Sequence, residues 1–162
     1  MASEKKKRNN QNTFWHWIWI ATLVAAAVVG YLALDGDGAC CADPENTAQV
    51  ALGAELYVTH CAECHEANLE EDWNWQTPLG DGGLRAPPHD ESGHTWHHTD
   101  DYLFAYTKNG GKEMVSSQFK SDMPGFAEKL SDADIWAVLA YIKSRWPRHI
   151  LLRQEQLNRQ ER

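Results

Sequence analysis

Apolar residues run unbroken from Phe14 to Leu34 (FWHWIWIATLVAAAVVGYLAL), with no formal charge apart from a protonatable His16. At about 1.5 Å per residue the run reaches roughly 30 Å, the thickness of a bilayer core. Trp15, Trp17, Trp19 and Tyr31 fall near its two ends, where aromatic side chains favour the membrane–water boundary. Lys5, Lys6, Lys7 and Arg8 precede it, which predicts a cytoplasmic N-terminus and the rest of the chain on the other side. The pattern predicts a single-pass transmembrane anchor over 14–34, in contact with the lipid bilayer, behind a basic segment 1–13. A cleaved signal peptide fits less well, because its apolar core spans only about 7–15 residues and a small-x-small site should follow. Leu34-Asp35-Gly36-Asp37 offers no such site, and Asp37 stands where lipoprotein processing at Cys40 would need an aliphatic residue.

Beyond the anchor the apolar positions recur at helical spacing. TAQVALGAELYVTH opens on an Asn46/Thr47 cap and carries Val50, Ala54, Tyr57 and Val58 on one expected face. Gly53 lies one turn before Tyr57, so a second helix can cross closely there. DDYLFAYTKN, residues 100–109, follows Thr99 as its cap and stops at Asn109-Gly110-Gly111. SDADIWAVLAYIKSRW starts on Ser131, places Asp132 and Asp134 in its first turn, and repeats Ile135, Val138, Leu139, Tyr141 and Ile142. Pro147 is a good first residue for a last helix over 147–162, where Ile150, Leu151 and Leu157 form a stripe on a basic surface. That stripe suits packing on the domain, a partner, or an anionic headgroup. DGDGACCADPEN, residues 35–46, has the composition of a linker. The expected fold class is all-α.

Charge narrows the partners. The net charge of −8 is unevenly spread: Asp35 to Asp134 holds 20 acidic and 5 basic residues, whereas Ile135 to Arg162 holds 6 basic and 2 acidic. A body this acidic excludes nucleic acid, whose phosphates require Lys and Arg surfaces. It suits a partner with a basic docking face.

The chemistry centres on CAECH, residues 61–65. Beyond the membrane the compartment is oxidising. A dithiol switch needs an alternating βαβ context that is absent around the pair. Zinc needs a second ligand pair, and the only other cysteines, Cys40 and Cys41, are adjacent. The third use of C-x-x-C-H, attachment of c-type haem, needs nothing further.

With Gly53-x-x-x-Tyr57 ending four residues before Cys61, and Val-Leu-Ala-Tyr-Ile-Lys at 138–143, the chain resembles a class I cytochrome c over 47–146. The His- and Pro-rich stretch PPHDESGHTWHHTDD resembles, more loosely, membrane-anchored monohaem bacterial cytochromes. The resemblance implies a small domain of about four to five helices around one covalent haem c. It implies thioethers at Cys61 and Cys64, His65 as axial iron ligand, and Met123 of SDMPGF as the opposite one. Met114 lacks that Met-Pro context, and a histidine of the HTWHH stretch is the other alternative. A proline carbonyl should accept from the outer nitrogen of His65; Pro87 or Pro88 is the first choice and Pro78 the second. Trp73, Trp75 and Trp96 are either ordinary packing or the wall of the haem edge, with an indole N–H on a propionate. His89, His94, His97 and His98 are either polar loop residues or part of a second metal site. Cys40 and Cys41 are open to a vicinal disulfide, a soft metal or a partner.

Two filled axial positions disfavour catalysis at iron and favour one-electron transfer. The expectation is a non-enzymatic carrier in the inner membrane with its haem domain in the periplasm, moving electrons between membrane redox complexes such as a quinol–cytochrome c oxidoreductase and a terminal oxidase. A haem subunit fixed in a larger oxidoreductase and a haem-based gas sensor are the alternatives.

Overall fold

The computed structural model describes residues 17–20, 22, 41–70, 74–80, 83, 85–114 and 120–160. The chain divides into two compact units, Met1–Gly38 and Ala39–Arg162. In the first, residues 17–20 are helical, with Trp17 and Trp19 exposed. Most of the anchor expected over 14–34 lies outside the described residues. No helix among the described residues is long and apolar enough to cross a membrane.

The second unit is helical, with no strand among its described residues. Its elements are α1 (Thr47–His60), α2 (Ala62–His65), a 3-10 turn (Thr95–His97), α3 (Asp100–Asn109), α4 (Gly111–Met114), α5 (Asp132–Ser144) and α6 (Arg148–Gln160). The caps are the expected ones. Asn46 accepts from the Gln49 N–H, Thr99 accepts from the Tyr102 N–H, and Ser131 forms a reciprocal capping box with Asp134. Gly110, at φ 87°, ends α3 in a conformation that an L side chain resists.

The crossing of α1 and α5 is the centre of the domain. A Cβ at Gly53 would lie 1.9 Å from the Ala137 carbonyl oxygen and 2.9 Å from Tyr141 Cβ, so only glycine permits this approach. The Tyr57 and Tyr141 rings, 5.4 Å apart, lock it on one side. The buried face of α1 is Gln49, Gly53 and Tyr57, with Val50 and Leu56 on its flanks. Val58, expected on that face, is 64 % exposed. At 100° per residue it sits roughly 140° from Gly53, on the far side of the helix.

Helix α5 is buried nearly all round, from Ile135 to Ala140 and again at Ile142 and Lys143. Ile135, Trp136 and Leu139 join Leu103, Phe126, Leu130 and Ala42 in one apolar cluster. Val138 and Ile142 join Tyr57, Leu69, Trp146 and Ile150 in another. Each fully buried aliphatic side chain here contributes about 1.5–3 kcal/mol.

Two boundaries differ from the sequence expectation. Ala42 is buried in the first cluster. Gln49 binds the backbone on both sides of it, donating to the Cys41 carbonyl (3.0 Å) and accepting from the Asp43 N–H (2.9 Å). The expected linker over 35–46 is therefore docked on the domain along 41–46. At the other end, α6 packs on the domain through Ile150 and Leu151. Its Gln154, 0 % exposed, donates to the His98 carbonyl and to Asp100. Asn158 and Lys143 also bind the Asp100 carboxylate, so one side chain joins α3, α5 and α6.

Candidate functional site

Helix α1 delivers CAECH directly. The Cys61 N–H still bonds to the Tyr57 carbonyl, and the N–H groups of Cys64 and His65 both bond to the Cys61 carbonyl (3.1 and 3.0 Å). This single turn puts both cysteines and the histidine at one end of α1. Tyr57, locked in the helix crossing, directs its hydroxyl at the carbonyls of His65 (2.9 Å) and Glu66 (3.1 Å). Cys61 is half-buried and Cys64 exposed, and neither is in a disulfide. Burial, then the neighbouring Cys64, pushes the Cys61 thiol up to about 11, so it is protonated at neutral pH.

The chain then turns sharply. Glu66 and Leu69 both have positive φ, 55° and 68°, which L residues rarely adopt. Leu69 is nevertheless buried, and its carbonyl accepts from the N–H groups of His89 (2.9 Å) and Asp90 (3.3 Å). The strained turn is thus bonded to the segment that passes beside His65.

His65 is buried, and its Nδ1 lies 3.0 Å from the Pro87 carbonyl oxygen. A carbonyl only accepts, so Nδ1 carries the proton and Nε2 keeps its lone pair. Burial lowers the His65 pKa, and the Pro87 bond partly opposes that shift. The imidazole is therefore neutral at pH 7, with one nitrogen ready to ligate. Of the proline candidates, Pro87 holds this position. Pro88, one residue on, is buried and offers its carbonyl to Thr95 at 3.4 Å instead; Pro78 is exposed.

Several contacts fix the Pro87 segment. The Trp146 indole donates to the His89 carbonyl at 2.7 Å. Gly93 closes over Pro88 so tightly that a Cβ there would lie 1.9 Å from the Pro88 oxygen. The His89 ring stacks on His65, with centroids 4.1 Å apart, and its Nδ1 is 2.8 Å from the Thr95 hydroxyl. Burial, then the neighbouring His65 and His94, lowers the His89 pKa well below the usual histidine range. Thr95 and Trp146 were not singled out in the sequence, and His89 was singled out only as a polar loop residue or a part of a second metal site, not as a neighbour of His65. Gly93, a lone glycine five residues after Pro88, was the available signal of a close backbone approach.

Met123 is half-buried against the first apolar cluster. Its segment is fastened to the end of α3: the Gly111 N–H donates to the Met123 carbonyl (3.0 Å) and Phe126 N–H to that of Thr107 (3.1 Å). Gly110 and Gly125 meet backbone to backbone, where a Cβ on Gly110 would be 2.6 Å from the Gly125 nitrogen. The His60 and Phe126 rings, 6.3 Å apart, link the cysteine end of α1 to this segment. Met114 ends α4, and the residues after it lie outside the described set.

Trp96 is turned elsewhere. Its indole N–H donates to the Glu91 carbonyl (3.3 Å), its ring stacks on His97 (3.7 Å), and the Arg153 guanidinium of α6 lies 4.9 Å over it. The indole N–H expected for a propionate is thus already engaged, and the packing role fits this geometry. Trp75 stacks on His94, while Trp73 and Cys40 lie outside the described residues. No group of three or more His, Cys, Asp or Glu side chains able to hold a metal occurs among the described residues.

The donor set fits a covalent haem. Two reduced thiols bracket one turn, and a neutral, buried imidazole has its tautomer chosen by a fixed carbonyl. The Met123 segment is linked to the cysteine end of α1 through the His60–Phe126 contact. A family model described as Cytochrome c matches residues 50–146. No curated protein and no solved structure matches the chain.

Proposed function

From a chain that belongs to the cytochrome c family, and so carries covalently attached haem c and serves haem-based electron transfer, we propose a membrane-tethered carrier of single electrons between membrane redox complexes. The observation that supports this reading is the bond from His65 Nδ1–H to the Pro87 carbonyl, which leaves the Nε2 lone pair free to ligate iron. Haem supplies a one-electron ferrous–ferric couple. Cys61 and Cys64 would hold it through thioethers, and His65 and Met123 would ligate its iron. Methionine, a soft neutral donor, favours the ferrous state relative to a second histidine and closes the iron to exogenous ligands. The tether is residues 14–34, with the basic residues of 1–13 in the cytoplasm and the haem domain in the periplasm. Confinement to the membrane surface raises the effective concentration at partners in the same membrane. The acidic body, net −15 from 20 acidic and 5 basic residues over 35–134, suits partners with basic docking faces.

Membrane fractionation and redox spectroscopy on the full-length protein test this. The expected result is a haem protein that stays with membranes through a high-salt wash and, once solubilised, runs alone. It should be reduced and reoxidised reversibly by one electron and bind carbon monoxide poorly. Release by salt removes the tether. Stoichiometric copurification with a larger oxidoreductase makes the chain a fixed relay subunit. Avid carbon monoxide binding by the reduced protein replaces the carrier with a gas sensor.

A further inference from the structure

His94 and His98 bracket the 3-10 turn Thr95–His97, and their Nε2 atoms stand 3.0 Å apart. The backbone fixes that spacing. His97 N–H bonds to the His94 carbonyl (3.0 Å) and His98 N–H to the Thr95 carbonyl (3.2 Å). Each ring is also held by an aromatic neighbour. His94 lies parallel to Trp75 within 1°, with centroids 5.7 Å apart, and His98 stacks on Tyr102 at 4.5 Å. The two Nε2 atoms share a hydrogen bond, so one ring carries its proton there; a metal ion would take that proton's place, each ring then being protonated on Nδ1, at a pair of which His94 is exposed and His98 half-buried.

From this geometry we infer that His94 and His98 form a bidentate surface site for a divalent transition metal of the Ni2+ or Cu2+ type. Metal–imidazole bonds are about 2.0–2.1 Å long, so nitrogens 3.0 Å apart subtend about 94° at the metal. That is the cis angle of tetragonal or octahedral coordination, which Cu2+ and Ni2+ favour; a tetrahedral zinc site would need about 3.3–3.4 Å. Burial and the nearby His97 lower the His94 pKa, which favours its neutral form. The surrounding acidic surface, 20 acidic against 5 basic residues over 35–134, attracts cations to it. No third His, Cys, Asp or Glu is grouped with them among the described residues. His97 stacks on Trp96 and takes no part. Bound metal would clamp the turn from which Trp96 reaches α6.

The test uses Ni2+, which does not exchange electrons with haem or thiols, on tag-free full-length haem protein. Calorimetric titration should give one equivalent of tightly bound Ni2+ per chain. His94→Ala and His98→Ala should each weaken it at least tenfold, and His97→Ala should leave it unchanged, with the haem spectrum retained as the control for folding. Anomalous diffraction at the nickel edge from the unsubstituted protein should place the ion between the two Nε2 atoms, a result that needs no variant. Ni2+ bound elsewhere in that map, or an affinity that falls less than tenfold in the His94→Ala/His98→Ala protein, overturns the site.

Discussion

Pro87 contributes to the site only through a carbonyl oxygen, and that atom chooses which nitrogen of His65 carries the proton. Met123, the proposed second iron ligand, can be exchanged with little harm to packing. Met123→Leu conserves volume and should cost less than about 1.5 kcal/mol of stability. The ferric protein should nevertheless lose its near-infrared methionine-sulfur band, and the reduction potential should fall. A variant that keeps both would place the sixth ligand elsewhere. The turn that brings Cys61, Cys64 and His65 together was legible in the sequence because it depends on spacing along a few residues, whereas Met123 was chosen through the resemblance and its Met-Pro context. The carbonyl acceptor was only narrowed to Pro78, Pro87 and Pro88, since proximity to His65 is decided by how Leu69 and Trp146 pin the segment. His89 was unreadable for the same reason: a histidine in a polar stretch gives no sign that it will stack beneath another 24 positions away.

Among the helices, the α1–α5 crossing is the contact with least room to give. Gly53→Ala brings about 1 kcal/mol of helix propensity. It also sets a methyl group 1.9 Å from a backbone oxygen of Ala137, which no rotamer change can relieve. A net loss of about 1–3 kcal/mol is expected, read as a lower midpoint in guanidinium unfolding of the haem protein. The contact between α3, α5 and α6 rests on charge instead. Lys143 is buried and its ammonium lies 2.7 Å from Asp100. Asp100→Ala strands that ammonium and should cost about 3–5 kcal/mol, while Asp100→Ala with Lys143→Met should recover much of it. If the double variant is no more stable than the single one, the cost comes from the lost Gln154 and Asn158 bonds. The helix positions themselves followed from caps and periodicity. The side α6 would choose did not, because Gln154 and Asn158 look like solvent-facing residues until Asp100 is placed beneath them.

For the molecule as a whole, the haem is also a structural component. The apolar clusters flanking α5 are small, and a domain of this size has little core to spare. Replacing Cys61 and Cys64 by alanine should abolish covalent haem and leave a poorly folded domain. Haem staining on a denaturing gel checks the first outcome and near-ultraviolet circular dichroism the second. Haem that survives denaturation in that variant would refute attachment at these cysteines. The bond from Trp146 to the His89 carbonyl bears on the order of events during synthesis. It spans 57 positions, so the carbonyl that orients His65 is clamped only after nearly the whole domain has emerged and α5 has docked. Cys61, by contrast, is available early and becomes harder to ionise once covered. A chain still open at this bond therefore offers the more reactive thiol, and thioether formation at Cys61 should be faster there than in the closed domain.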